Sequence, residues 1–478
     1  MTQSPEKSVY ISSEELARQR EFCTLCRELL FERFGEEPKA FVHTYGCQGN
    51  VADSERIKGM LAEMGFTFCD TAEEADFVLF NTCAVREHAE ARVFGNVGAL
   101  KPIKESKNNN MIIALCGCMT QQEHVAEKLR RSYDYVNLVF GTFAVWRLPE
   151  RMYDLLRRRK RVFDVNEETG RIAEGIPAVR DRTFRAWLPI MYGCNNFCTY
   201  CIVPYVRGRE RSREPEKVID EAKELIASGA KEITLLGQNV NSYGKTAGFD
   251  TDFPALLREI DALAGDFIIR FMTSHPKDCS EELLLAMSEC EKVERHLHLP
   301  FQSGSDRILK AMNRGYTAEK YRSLVKRARE LMPDIALTSD VIVGFPGETR
   351  EDFDATLSLI RDVGFTSLFT FIYSPRVGTP AAAMEDPVPA KVKGVWFREL
   401  LKAQEDIASV RCKNEIGRKY RVLVEDFDGG YLSGRTSGNT VIKIPAETGD
   451  SVGEFAEAVV THAGNWTLEG RLVPLEDS

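Results

Sequence analysis

The sequence predicts an α/β protein with three parts: an N-terminal open parallel α/β domain, a central partial (βα)6 barrel, and a C-terminal small antiparallel β-barrel. Two observations predict the first two parts. Short apolar runs alternate with helical stretches, and cysteine or polar motifs follow the apolar runs. A third observation predicts the last part, because the chain changes after residue 412 to short β-patterns separated by glycine and aspartate turns. A chain of 478 residues is also too long for one compact core.

The composition is typical of a soluble globular protein, with 43% hydrophobic and 28% charged residues and a formal net charge of −9. No run of about 18 apolar residues occurs, so we expect no membrane span. Residues 1–20 are too polar for a signal peptide, and we expect a cytoplasmic protein whose thirteen cysteines serve metal, redox or core packing rather than disulfides. Because the chain is acidic overall, contacts with nucleic acid must come from local basic patches.

Residues 1–38 are predicted to form a polar helical extension. Cys23 and Cys26 lie three residues apart inside the helical pattern Glu14–Phe34. They are either half of a metal site or two apolar residues on one helix face. We favour the helix face, because no second cysteine pair with matching spacing follows.

Residues 39–165 alternate between strand and helix patterns, which predicts βαβ units and a parallel sheet. The expected strands are Ala40–Tyr45, Asp76–Asn81, Met111–Leu115 and Leu138–Phe140, and the expected helices are Ser54–Met64, Glu87–Lys104 and Gln121–Arg131. Three strands end in cysteine motifs, at Cys47, at Cys83 and at the pair Cys116 and Cys118. Ligands of open parallel sheets bind at the carboxyl ends of strands, so we expect three thiols to converge there. The alternative is that they are ordinary buried cysteines.

A basic run, Arg147–Arg161, follows these strands, and residues 166–185 are predicted to be a linker. Such a run is commonly a solvated helix face. Because it lies in the sequence between two cysteine-rich domains, we favour a contact with RNA phosphates.

Residues 186–412 predict the partial barrel. Its six expected strands are Trp187–Tyr192, Glu232–Leu236, Ile268–Thr273, His296–Pro300, Ala336–Val343 and Ser367–Tyr373, and its helices include Pro215–Ala227, Ala318–Leu331 and Arg350–Val363. The first strand leads into Cys194, Cys198 and Cys201, a C-x3-C-x2-C pattern. Three thiolates suit a cubane iron–sulfur cluster, which normally takes four cysteines, so one iron would remain open to a small molecule. The alternative is a zinc site with a fourth ligand from elsewhere.

Polar residues stand where later strands end. His275 is expected to be a hydrogen-bonded loop histidine, and Pro346 and Gly347 are expected to be turn residues. The amide and hydroxyl side chains there are candidates for binding a small polar molecule, and they belong to Gln238, Asn239, Ser274 and Gln302.

The three-cysteine pattern, with the aromatic Tyr200 before its last cysteine, resembles that of radical S-adenosylmethionine enzymes. Three further segments resemble the N-terminal motifs of the methylthiotransferases within that superfamily, namely Gly46-Cys47-Gln48-x-Asn50, Asn81-Thr82-Cys83-x-Val85-Arg86-Glu87 and Gly117-Cys118-x-x-Gln121. The resemblance covers nearly everything after residue 39, and it departs at Gly49, where a methionine is expected.

The resemblance implies two 4Fe-4S clusters held by six catalytic cysteines. Cys194, Cys198 and Cys201 would hold the cluster that cleaves S-adenosylmethionine to a 5′-deoxyadenosyl radical. Cys47, Cys83 and, by motif position, Cys118 rather than Cys116 would hold an auxiliary cluster that presents sulfur. The segment at Gln238 and Asn239 takes the place that binds the methionyl amine. The rest of the cofactor pocket would then be formed by Tyr200, Ser274, Gln302, Arg314 and Asp340.

The segments Leu235–Asn241 and His298–Asp306 are most similar to the branch of the family that modifies tRNA. That branch methylthiolates carbon 2 of N(6)-isopentenyladenosine beside the anticodon, using two S-adenosylmethionine molecules, one as methyl donor and one as radical source. The implied partners are the tRNA anticodon stem-loop and an electron donor such as flavodoxin or ferredoxin. We expect a monomer with no membrane contact.

Residues 413–478 predict five short strands, Tyr420–Glu425, Tyr431–Arg435, Val441–Ile444, Phe455–His462 and Thr467–Val473. Five such strands suit a small barrel of the kind often used for RNA. The segment resembles the TRAM domain, and Arg435, Thr436 and Asn439 resemble part of its Gly-Arg-Thr motif. We expect Arg435 to contact RNA, the alternative being a domain that only caps the barrel.

Two other functions stay open. One is a methylthiotransferase that acts on a ribosomal protein. The other is a non-catalytic RNA-binding protein with structural metal sites, for which Cys279, Cys290 or Cys412 could supply fourth ligands.

Overall fold

The computed structural model describes residues 9–84, 87–165 and 170–473. Val85 and Arg86 of the second cysteine motif lie outside the described residues, as do residues 166–169 of the expected linker and both ends of the chain. Within the described ranges, no helix is long and apolar enough to cross a membrane.

Helix α1 (Ser13–Phe34) forms the expected extension. It begins with a capping box, in which the Ser12 hydroxyl accepts the Glu15 N–H at 3.2 Å and the Glu15 carboxylate accepts the Ser12 N–H at 3.0 Å. Cys23 and Cys26 are buried in the core that α1 shares with the first domain. The helix-face interpretation of this pair is therefore confirmed.

The first domain is a six-stranded, all-parallel sheet in the order β2-β1-β3-β4-β5-β6. The strands are β1 (Lys39–Thr44), β2 (Thr67–Phe68), β3 (Phe77–Thr82), β4 (Ile112–Gly117), β5 (Leu138–Phe140) and β6 (Val162–Asp164). The helices are α2 (Gln48–Glu63), α3 (Glu87–Ser106), α4 (Glu123–Ser132) and α5 (Leu148–Arg158). The central strands β3 and β4 are buried along their whole length, because apolar cores cover both faces of the sheet.

The basic run Arg147–Arg161 covers α5 and the approach to β6. At its end, Arg161 donates hydrogen bonds of 2.8–2.9 Å to four backbone carbonyls at the end of α4 and before β5. Arg161 therefore stabilises a helix end. The contact with RNA phosphates expected of the run stays a prediction.

The central domain has the six expected barrel strands, β7 (Arg185–Pro189), β10 (Glu232–Leu236), β11 (Ile268–Phe271), β12 (His296–His298), β13 (Ala336–Val343) and β14 (Ser367–Ile372). They form two parallel three-stranded sheets, β7-β10-β11 and β12-β13-β14. A parallel bridge between Ile269 and Val293 links the two sheets into one open barrel. A short antiparallel pair, β8 (Met191–Tyr192) and β9 (Arg211–Ser212), encloses the cysteine loop.

Helices on the outside of the barrel share one large core with the strands. They are α7 (Pro215–Ala227), α8 (Phe253–Asp261), α9 (Glu281–Glu289), α11 (Ala318–Leu331), α12 (Arg350–Val363) and α13 (Ala390–Lys413). Two shorter helices pack elsewhere: α6 (Val203–Arg207) packs against the first domain, and α10 (Asp306–Ala311) packs in a small cluster with Phe345 and Tyr373. The sequence reasoning had not identified α13, the long helix that leads into the last domain.

The last domain is a closed five-stranded barrel in the order β15-β16-β17-β19-β18. Its strands are β15 (Lys419–Asp428), β16 (Tyr431–Arg435), β17 (Val441–Pro445), β18 (Phe455–Ala463) and β19 (Thr467–Leu472). All pairs are antiparallel as expected except β17 and β19, which are parallel.

An ion-pair network joins this domain to the amino ends of the barrel strands. Glu232 pairs with Arg185 at 2.7 Å and with Arg270 at 2.9 Å, and Arg270 also donates to the Thr436 carbonyl at 3.1 Å. Arg435 lies in the same interface and pairs with Glu425 at 3.3 Å. Arg435 is half-buried there, and the RNA contact expected of it stays a prediction.

Candidate functional site

The loop between β8 and β9 carries the C-x3-C-x2-C cysteines at the carboxyl end of the barrel. Gly193 has φ +75°, and a Cβ there would lie 2.0 Å from the Arg209 carbonyl oxygen, so only glycine fits. Its N–H donates to the Gln238 side-chain oxygen, and the Cys194 N–H donates to the Gly208 carbonyl at 3.1 Å. Thr199 is bonded to carbonyls at the end of α10 at 2.9 and 3.0 Å. The loop is thus fixed from both sides of the barrel mouth.

A buried arginine faces these thiols. The Arg314 guanidinium lies 3.4 Å from the Cys198 sulfur and donates to the Pro300 carbonyl at 2.6 Å. Burial raises the pKa of Cys194 to about 11 and that of Cys201 to about 12. Neither thiol ionises on its own at neutral pH, whereas a metal replaces the proton of a thiol. The donor set of three thiols beside a fixed cation fits an iron–sulfur cluster.

Several polar atoms near the cysteine loop have no hydrogen-bond partner within the described part of the chain. They are buried, and they include the Asn239 oxygen, the Ser274 hydroxyl and the Gln302 oxygen, all at the ends of barrel strands. Folded proteins leave few such atoms unsatisfied, so each calls for an explanation. S-adenosylmethionine offers amino, carboxylate and ribose hydroxyl groups that could satisfy them. The residues present therefore fit that cofactor.

Two predicted pocket residues have protein partners instead. The Gln238 side-chain oxygen accepts a hydrogen bond from the Gly193 N–H, so Gln238 positions the cysteine loop. Asp340 has its carboxylate 3.5 Å from the Nε2 of His298. His275 accepts the Lys277 N–H on Nδ1 at 3.1 Å, which agrees with the loop role expected of it. Burial lowers the pKa of His275, and its Nε2 has no partner among the described residues.

The second cysteine trio lies at the carboxyl ends of β1, β3 and β4. Cys47 is the N-cap residue of α2 and is exposed, while Cys83 and Cys118 are buried. The backbone next to Cys47 lies close to Cys83, since a Cβ added to the preceding Gly46 would lie 2.5 Å from the Cys83 Cβ. Asn50 stands among them, with its side-chain oxygen 3.6 Å from the Cys47 sulfur and 4.0 Å from the Cys118 sulfur. The structure therefore brings together three thiols that are far apart in sequence.

Asn50 is itself held firmly. It is fully buried, and its nitrogen donates to the carbonyls of Tyr45 at 3.0 Å and Thr82 at 2.9 Å. Cys116 belongs to the core on one face of the sheet, whereas Cys118 packs with residues of the barrel domain. Only Cys118 of this pair is placed beside the other two thiols, as the motif position implied.

No three His, Cys, Asp or Glu side chains are grouped as ligands of one metal ion in the ranges that the structure describes. A cubane cluster binds each cysteine through a different iron, so its ligands do not gather around a single ion.

The segment that follows Cys201 contacts the second cysteine trio across a domain interface. Ile202, which follows Cys201, packs with Val206 against Ala84 and Cys118. From α6 the Arg207 guanidinium reaches the Cys118 sulfur at 3.2 Å. Arg207 belongs to a basic turn that follows Cys201, and the sequence pattern alone does not identify it as part of the other cysteine site.

The barrel lumen carries an exposed apolar surface. Alternate residues of β13 face the helices or the lumen: Val341 packs in the outer core, whereas Asp340 and Ile342 lie on the opposite face. Asp340 pairs in register with Phe369 of the neighbouring strand β14, and Ile342 pairs with Phe371. Phe369 is 45% exposed and Phe371 is 37% exposed. The lumen can therefore receive an apolar group.

Three family descriptions match the chain. Residues 188–360 match the radical SAM superfamily, residues 39–141 match the uncharacterized protein family UPF0004, and residues 413–473 match the TRAM domain. A protein of Acetivibrio thermocellus named tRNA-2-methylthio-N(6)-dimethylallyladenosine synthase is 48% identical over 473 residues, covering 98% of each chain. Proteins of the same name from Alkaliphilus oremlandii and Clostridioides difficile are 46% and 44% identical, covering 98% of this chain and 99% of their own.

A solved structure supports the fold. The radical S-adenosylmethionine methyltransferase TsrM from Kitasatospora setae, determined with cobalamin and a [4Fe-4S] cluster, aligns with a TM-score of 0.53 at 16% identity, covering 73% of this chain and 77% of that one. Together with the TRAM match, this similarity confirms the mixed α/β fold class predicted from the sequence.

Proposed function

Since the chain belongs to the family of tRNA-2-methylthio-N(6)-dimethylallyladenosine synthases, we propose that it attaches a methylthio group to carbon 2 of N(6)-isopentenyladenosine beside the anticodon in tRNA. One observation carries the proposal: the segment that follows Cys201 of the first cysteine trio packs on Cys118 of the second trio across one domain interface. The ribosomal-protein and non-catalytic alternatives are not favoured, because the similar relatives carry the name of a tRNA-modifying enzyme over almost their full length.

In this proposal the domains divide the task. Residues 39–165 form the methylthiotransferase domain, residues 186–412 the radical S-adenosylmethionine barrel, and residues 413–478 an RNA-binding domain. The extension 1–38 and the linker 166–185 connect and flank them. The protein acts as a cytoplasmic monomer that receives electrons from a donor such as flavodoxin or ferredoxin.

Two iron–sulfur clusters and S-adenosylmethionine, which are not part of the protein chain, would supply the chemistry. Cys194, Cys198 and Cys201 would hold one 4Fe-4S cluster and Cys47, Cys83 and Cys118 the other, and with S-adenosylmethionine these supply a radical and a sulfur donor. Radical chemistry suits the target, because no side-chain base of ordinary pKa removes a proton from a purine carbon.

The protein residues bind and orient. Asn239, Ser274 and Gln302 present to S-adenosylmethionine buried oxygens that have no partner among the described residues. Tyr200, between Thr199 and Cys201 of the cysteine loop, lies beside the cofactor in this proposal. Arg314 keeps a positive charge next to the Cys198 sulfur, which stabilises the thiolate form. The Phe369 and Phe371 rings in the lumen are suited to the isopentenyl group, because that group is apolar.

Iron analysis of three anaerobically reconstituted proteins tests the proposal. We expect about eight irons in the wild type and about four in each of two triple variants, Cys194/Cys198/Cys201→Ala and Cys47/Cys83/Cys118→Ala. Only the second variant should still cleave S-adenosylmethionine, and neither should modify tRNA. Zinc in place of iron, or iron unchanged by either triple substitution, would refute the proposal.

A further inference from the structure

Arg207 lies where the two domains meet and contacts the auxiliary cysteine site from the barrel side. Its Nε lies 3.2 Å from the Cys118 sulfur. Its Nη2 donates to the Asn50 oxygen at 3.0 Å and to the Asp53 carboxylate at 2.8 Å. Asn50 and Asp53 belong to α2, the helix that begins at Cys47. One guanidinium therefore connects one cysteine of the trio with the helix that carries another.

This contact is fully enclosed. Arg207 is 7% exposed, and its carboxylate partner Asp53 is 9% exposed. A buried guanidinium requires a partner, and Asp53 alone would satisfy the charge. The additional contact with the Cys118 sulfur is not needed for that ion pair. Through this contact Arg207 directs an N–H donor at Cys118, which binds iron in the proposed function.

We propose that Arg207 completes the auxiliary cluster site from the neighbouring domain and raises the reduction potential of the cluster held by Cys47, Cys83 and Cys118. The inference rests on the proposed function, since it requires a cluster at those cysteines. Arg207 acts as a positioning residue, and it does not touch S-adenosylmethionine or the reacting base in this arrangement.

The physical reason is electrostatic. Reduction adds one negative charge to a cluster, and hydrogen bonds to its cysteine sulfurs together with nearby positive charge stabilise the reduced form. Arg207 supplies both at Cys118. Asp53 has the opposite effect, because its carboxylate lies beside the same guanidinium and disfavours added negative charge. Arg211 is a further basic side chain near Arg207, and it donates to the Arg207 carbonyl at 3.2 Å.

The test isolates the auxiliary cluster. In a Cys194/Cys198/Cys201→Ala background only that cluster remains, and its midpoint potential is measured by an anaerobic redox titration followed by electron paramagnetic resonance. We expect Arg207→Met to lower the potential and Asp53→Asn to raise it. Arg207→Lys keeps a charge but cannot form the same two-sided contact, so its potential should lie between those of Arg207→Met and the parent.

Arg209→Met is the matched control. Arg209 belongs to the same basic turn, but it is exposed and its guanidinium stacks 4.4 Å from the Phe197 ring centre. Arg209→Met should therefore leave the midpoint potential of the auxiliary cluster unchanged. An equal shift from Arg209→Met, or shifts of the same sign from Arg207→Met and Asp53→Asn, would overturn the proposal.

A double variant covers the case in which Arg207→Met fails to load iron because it leaves Asp53 unpaired. Arg207→Met with Asp53→Asn leaves no unpaired buried charge, so the cluster should load and the N–H contact with sulfur is still lost. A potential below that of Asp53→Asn alone supports the proposal, and an equal potential overturns it. If the parent background itself held no iron, the proposed function would fail first, and the role of Arg207 with it.

Discussion

Substitution of Phe369 by alanine should selectively weaken binding of the prenylated substrate. Phe369 lies on the lumen face of β14, paired with Asp340 and in edge contact with His298 at 5.7 Å between ring centres. An isopentenyl group has five carbons, and burying each contributes about 0.8 kcal/mol, which gives about 4 kcal/mol for the whole group. One ring covers roughly a third of such a group, so its removal should cost about 1–2 kcal/mol, or about 5–30-fold in affinity.

The measurement compares two anticodon stem-loops that differ only in the isopentenyl group on the reacting adenosine. For Phe369→Ala, the dissociation constant of the prenylated RNA should rise about 5–30-fold, while that of the unprenylated RNA stays unchanged. Val410→Ala, an exposed apolar position on the outer helix α13, is the control and should change neither constant. If Phe369→Ala weakened both RNAs equally, the lumen would not recognise the prenyl group.

Four further predictions test other parts of the structure. Cys83→Ala should abolish methylthiolation yet leave S-adenosylmethionine cleavage detectable, with iron falling from about eight to about four per chain; loss of cleavage with the first cluster still loaded would contradict the division of labour. Ser274→Ala should weaken S-adenosylmethionine binding about tenfold in equilibrium titration without lowering the melting temperature, because the hydroxyl is buried without a partner among the described residues. Glu232→Gln should lower the unfolding free energy by about 1.5–3 kcal/mol in chemical denaturation, because the half-buried Arg185 and the buried Arg270 would keep only their longer ion pairs with Glu425 and Glu294. Burial raises the pKa of Glu348 to about 7, so the folded state binds the proton more tightly than the unfolded chain. Protonated Glu348 therefore contributes stability at low pH, and this contribution is lost as the pH rises from about 4.5 to 7. In Glu348→Gln the melting temperature should vary less with pH over that window.

The sequence predicted the strands well, because each strand is a short apolar run between polar helices. Leu138–Phe140 and Ala336–Val343 have the expected bounds, and so do three barrel helices. The long helix α13 was missed. Its buried residues recur every three or four positions, as on one helix face, but Lys393 and Gln404 among them are polar, so the apolar pattern was hard to recognise.

Convergence of the cysteines could be predicted because it follows from topology. Parallel strands place their carboxyl ends at one edge, so Cys47, Cys83 and Cys118 had to approach one another once the sheet formed. The contact of Arg207 with Cys118 could not be predicted in this way, since it depends on how two separately folded domains pack. The same holds for the network that joins Arg185 and Arg270 to the last domain, which also depends on how two domains pack.

The location of the last domain limits how it can assist the reaction. It contacts residues at the start of barrel strands, such as Arg185 and Glu232, whereas the cysteine loop follows the end of β7. A strand of five residues spans about 17 Å, so the contact of the domain with Arg185 and the cysteine loop lie at opposite ends of β7. We therefore expect the last domain to contact nucleotides other than the reacting base, and the lumen and the interface between the two cysteine domains to recognise the base itself.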